Sequence, residues 1–151
     1  MIAKATPHLP IVSSLLALTL PWLLALFHWA GPIPADLGLD QGELRPCTGP
    51  AHCALTTWPV QDVAATMEAL ETELRNTAGV HVVTSDPASG YLHATATSRL
   101  FGFVDDVEVH SNPQLRLIEA RSESRLGDSD LGVNARRLEQ LATALALPNR
   151  P

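Results

Sequence analysis

Side chains able to do chemistry gather in two stretches. "FVDDVEVH", Phe103 to His110, brings Asp105, Asp106 and Glu108 close together, and "RSESRLGDSDLGVNARR", Arg121 to Arg137, interleaves arginines with carboxylates, serines and an asparagine. Three chemistries suit these residue types. Paired carboxylates can share general acid and base work, as in glycoside hydrolysis, or join Asp128 and Asp130 around a divalent cation. Arginines beside Ser122, Ser124 and Asn134, with backbone donors from a helix start near Gly132, can receive a small anion such as a carboxylate or phosphate. Alternatively, Arg99, Arg121 and Arg125 pair internally with Asp105, Asp106, Glu108 and Asp130 and hold the domain together.

The wider sequence narrows these choices. No nucleophile elbow, H-E-x-x-H, P-loop or G-x-G-x-x-G fingerprint occurs, so enzymatic chemistry has no named machinery. No cofactor is implied. The formal charge of −6, with arginines that form no polybasic run, speaks against nucleic acid as a partner. The histidines, at 8, 28, 52, 81, 93 and 110, show no ligand spacing, so no metal site is expected. His93 and His110 can meet across neighbouring strands, but both read as half-exposed strand residues without a role.

The elements that must position the charged residues are legible from periodicity. Val63, Met67, Leu70 and Leu74 fall on one helical face, with Gly79 as a stop. Four extended segments follow, "VHVVT", "YLHATATSR", "FVDDVEVH" and "LRLIEARS", joined by connections too short for parallel crossovers. A second helix from about Val133 to Leu147 places Val133, Leu138, Leu141 and Leu145 together. The expected fold is α+β: an N-terminal transmembrane helix, then a small antiparallel four-stranded sheet with two helices packed on one face.

Within "FVDDVEVH", alternation puts Phe103, Asp105, Val107 and Val109 on one side and Asp106, Glu108 and His110 on the other. Asp105 thus interrupts the more apolar face and needs a cation, and Arg121 or Arg99 is the expected partner. Arg136 and Arg137 sit near a helix start, where the dipole disfavours them, and should reach out to specific acceptors; Asp130 is placed to cap.

Residues 9–30 carry no formal charge over 22 positions, enough for a helix to cross a hydrocarbon core of about 30 Å. Lys4 precedes the run, and Asp36, Asp40 and Glu43 follow it, an arrangement that leaves the N-terminus cytoplasmic and exports the rest. The expectation is a single-pass cell-membrane protein with its C-terminal domain on the periplasmic side. A cleaved signal peptide and a secreted or periplasmic product is the alternative. Outside the cytoplasm, the only two cysteines, Cys47 and Cys53, are expected to form a disulfide. Residues 1–35 then form the anchor or signal segment, 36–59 an irregular Cys-containing linker or cap, and 60–151 the compact domain.

The stretches "TSRLFGFVDDVEV" and "RSESRLGDSDLGVNARR", with the Cys-x5-Cys loop, resemble the domain-of-unknown-function 1499 family (DUF1499) over residues 36–147. The resemblance marks Ser98, Arg99, Asp105, Asp106, Glu108, Arg121, Ser122, Ser124, Arg125, Gly127, Asp130, Gly132, Asn134 and Arg137. It implies no established activity. The reading favoured here is a membrane-anchored, exported accessory or binding domain, more non-enzymatic than enzymatic, that recognises a small anionic ligand or a protein partner through its arginine and carboxylate cluster. The alternative is a carboxylate-based or metal-assisted hydrolytic enzyme.

Overall fold

A computed structural model describes residues 30–148. Apart from Ala30, the uncharged run 9–30 lies outside the described residues. No helix among those described is long and apolar enough to cross a membrane.

Two short strands, β1 (Leu39–Asp40) and β2 (Glu43–Leu44), form a small hairpin. The main elements are β3 (Cys53–Pro59), α1 (Val63–Asn76), β4 (Val80–Asp86), β5 (Tyr91–Thr97), β6 (Val104–Asn112), β7 (Leu117–Ser124) and α2 (Val133–Ala144). The fold is α+β, and its sheet is antiparallel in the order β3-β7-β6-β5-β4.

The sheet has five strands rather than the expected four. The additional strand, β3, comes from the segment read as an irregular cap, and its Trp58 lies opposite Ile118 of β7. Trp58 is fully buried, so the compact unit begins well before residue 60. Prolines and the cysteine loop flank β3 and mask its pattern, although the run "LTTW" has strand-favouring residues.

Local chemistry fixes the helices. Asp62 caps α1 by accepting from the Ala65 N–H at 3.0 Å. Leu70 and Leu74 of α1, with Leu138, Leu141 and Ala142 of α2, bury against Trp58, Leu92, Ala94, Val107, Val109, Ile118 and Ala120. Strand alternation puts all those sheet residues on one face, and both helices cover it.

The opposite face is not left to water. The chain after Gly31 lies over it, with Gly38 donating to Glu108 and β2 packing on β6 and β7. Strand β6 is consequently buried on both sides, from Asp105 to Ser111. His93 and His110 are buried rather than half-exposed for the same reason.

Candidate functional site

The register of β6 against β7 divides the charged residues into two groups. Glu108 lies opposite Arg121 and Asp106 opposite Glu123, whereas Asp105 lies opposite Ser124 and Val107 opposite Ser122. Asp106, Glu108, Arg121 and Glu123 therefore occupy the face covered by residues 31–44, the strap. Asp105, Ser122 and Ser124 face the helices.

On the helix side, Arg137 donates from one guanidinium nitrogen to Asp105 at 2.6 Å, and from another to Ser122 Oγ at 2.8 Å and Asn134 Oδ1 at 2.6 Å. Asn134, fully buried, also accepts from Ser122 Oγ at 2.6 Å and donates to Ser124 Oγ and the His52 carbonyl. This corrects the expected partner of Asp105. Arg121 has the opposite strand parity and cannot reach it, and Arg99 lies exposed beyond the end of β5. The apparent conflict of a cation in the first turn of α2 is resolved by a buried carboxylate below it. Arg136 instead donates to the Leu131 carbonyl.

Asp130 closes the start of α2 from three residues before Val133. Its carboxylate accepts from the N–H groups of Gly132 and Asn134, both at 2.8 Å. Partial burial would raise its pKa, but these backbone bonds hold it below the ordinary carboxylate range. The same bonds occupy two donors that an incoming anion would need.

The strap side has two centres. In the first, Arg125 grips Asp106 bidentately, Nε at 2.8 Å and a terminal nitrogen at 2.7 Å, while His93 Nε2 lies 2.8 Å from the same carboxylate. Asp106 is 1% exposed. Burial alone would raise its pKa, but the hydrogen bonds from Arg125 and His93 more than offset this and hold it low. The Asp106 bond in turn raises the pKa of Arg125.

In the second, three carboxylates surround one guanidinium. Arg121 donates to Glu108 at 2.7 Å, to Asp36 at 2.9 Å and to Glu123. Tyr91 donates its hydroxyl to Glu108 at 2.6 Å, and His52 stands 3.5 Å from Glu123. Burial, the hydrogen bond to Glu108 and that carboxylate's charge push Tyr91 up. Burial, with Asp36 nearby, raises Glu123 despite Arg121. Burial would lower Arg121, but its bond to Glu108 and the charges of Glu123, Glu108 and Asp36 raise it instead.

Tyr91, His93, Glu123, Asp36 and His52 join this cluster although sequence reasoning assigned them no site. Alternation in "YLHATAT" puts Tyr91 and His93 on one face, a usable signal. Nothing local connects Asp36 with Arg121, 85 positions away. Among the described residues, no three His, Cys, Asp or Glu side chains form a metal-binding group. A cleft of about 410 Å³ between α1 and the β4–β5 and β6–β7 turns, floored by Val63, Met67 and Leu92, contains none of the motif residues. The Cα atoms of Cys47 and Cys53 lie 5.6 Å apart, within the span of a disulfide.

This architecture defines a small α+β domain whose charged motif residues are mostly turned inward on each other. The chain belongs to the family described as a protein of unknown function (DUF1499), which it matches over residues 12–145. No curated protein matches it.

Proposed function

We propose that the protein is a single-pass membrane protein anchored by residues 9–30, whose exported domain is a non-enzymatic accessory module for a protein partner. One observation carries the choice of partner: Arg121, Arg125 and Arg137 are each already bonded to a carboxylate of the same chain. A small anion would have to displace those carboxylates and leave them buried and uncompensated. The charged cluster is then the frame of the domain, and recognition falls to its surface. The hydrolytic alternative is the weaker reading, because Asp105 and Asp106 serve opposite faces of the sheet and each is held by an arginine.

Export is supported by the uncharged 22-residue run, by Lys4 before it, by the acidic residues after it and by the two cysteines lying within reach of a disulfide. The test is a reporter enzyme that is active only outside the cytoplasm, fused after Pro151, combined with alkaline extraction of membranes and the mass of the extracted protein. Reporter activity with an intact N-terminus in the membrane pellet is expected. An inactive reporter overturns export, and a soluble product lacking the first 30 or so residues replaces the anchor with a cleaved signal peptide.

A further inference from the structure

Large apolar side chains exposed to solvent are concentrated at one end of the sheet. The β5–β6 connection displays Leu100 at 67% exposure, Phe101 at 56% and Phe103 at 39%, and the β7–α2 connection displays Leu131 at 84%. Strand pairing puts both connections at the same end: Thr97 lies opposite Val104, and the Arg125 N–H donates to the Val104 carbonyl.

The 98–103 loop is built to hold this shape. Ser98 N–H donates to the Phe103 carbonyl at 2.8 Å, Ser98 Oγ accepts from the Phe103 N–H at 3.0 Å, and Gly102 N–H donates to the Ser98 carbonyl at 3.1 Å. The rings of Phe101 and Phe103 lie 5.7 Å apart, against each other rather than in the core. Arg99 and Arg136 are exposed at the same end.

The uncharged run ends at Ala30, and Gly31 already packs on this end of the domain. A Cβ added to Gly31 would lie 2.8 Å from Leu126 Cγ and 2.9 Å from Arg125 Cβ. No spacer separates the run from the folded body. An anchor ending at residue 30 would hold the 98–103 and 125–132 loops at the level of the lipid headgroups.

We infer that this end of the domain is a membrane-contacting surface: Leu100, Phe101, Phe103 and Leu131 enter the interfacial layer of the bilayer that holds the anchor, with Arg99 and Arg136 at the phosphates. The inference rests on the proposed anchor and adds to it a fixed orientation. Aromatic and aliphatic side chains flanked by arginine suit that layer, where an apolar body is buried and a cationic tip stays wet. Seated this way, the domain turns its opposite end, with the Met67 cleft and the exposed Leu115, away from the lipid.

The test uses the full chain in phosphatidylcholine and phosphatidylglycerol vesicles, with the native cysteine pair oxidised. Single nitroxide labels are placed through Phe101→Cys, Leu131→Cys, Leu115→Cys and, within the uncharged run, Ala25→Cys. Accessibility to oxygen, which partitions into lipid, is compared with accessibility to a water-soluble nickel chelate. Labels at 101 and 131 are expected to be oxygen-rich and shielded from nickel, close to the label at 25, with the label at 115 fully aqueous. If 25 reads as lipid while 101 and 131 read like 115, the domain stands clear of the bilayer and the inference fails with the anchor intact. An aqueous label at 25 overturns the anchor and the docked orientation together.

Discussion

Removing Arg125 should expose how much the fold depends on its buried charge pairs. The Asp106 carboxylate is 1% exposed and is bonded by Arg125 Nε, a second Arg125 nitrogen and His93. Arg125→Gln removes both charge-assisted bonds and leaves the carboxylate in place. Breaking a buried pair from one side costs about 3–5 kcal/mol, because the remaining charge has lost its compensation. At roughly 4 °C per kcal/mol for a domain of this size, the unfolding midpoint should fall by about 12–20 °C. The assay is thermal and denaturant unfolding of the detergent-solubilised chain, followed by near-ultraviolet circular dichroism. Asp106→Asn with Arg125→Gln removes both charges, so the double variant should lose less than the sum of the single variants, by about 2 kcal/mol.

The pH dependence carries its own sign. Asp106 titrates below its ordinary range in the folded state, so its contribution is present above about pH 4 and lost as pH falls through the folded value. The difference between wild type and Arg125→Gln should therefore shrink below about pH 4. A loss under about 1 kcal/mol with no coupling between the two sites would refute the reasoning, since that is how a solvent-screened surface pair behaves.

Glu123 should respond in the opposite direction. Its pKa is raised, so the wild type loses stability as pH rises through that value, and Glu123→Gln should match or exceed wild-type stability at pH 7 while losing any advantage near pH 4. Denaturant midpoints across that range check this, and a clear loss at pH 7 contradicts it. For the cysteine pair, six positions apart, chain entropy predicts that Cys47→Ser with Cys53→Ser costs about 2 kcal/mol. Unreduced wild-type chain should also take up no alkylating agent, and a mass gain of two alkyl groups would show free thiols.

Elements set by local periodicity were legible in the sequence. The face of α1, the face of α2 apart from the exposed Val133, the antiparallel strands from β4 to β7 and the split of Asp105 from Asp106 all follow from spacing of 3.6 or 2. Strand β3 was not legible, because its partner residues in β7 lie 58 to 70 positions away and the prolines in and before it suggest a loop. The partner of Asp105 depends on how α2 docks across the sheet, which spacing along one strand cannot reveal. The same holds for Asp36 and Arg121. Of the marked arginines, Arg121, Arg125 and Arg137 found buried acids, while Arg99 stayed at the surface.

Strand β6 is buried on both sides, with charges of one parity under the strap and one charge of the other parity under α2. If β6 slipped by one residue against its neighbours, Asp106, Glu108 and His110 would turn into the apolar core, while Val107 and Val109 would face the guanidinium groups of Arg121 and Arg125. Arg121, Arg125 and Arg137 would lose their acceptors in the same event. In a sheet with one wet face, such a slip is penalised mainly where apolar groups become exposed. Here both layers penalise it together, so the arginine pairs act as a check on strand alignment while the chain folds, and they select one register whatever their net contribution to its stability.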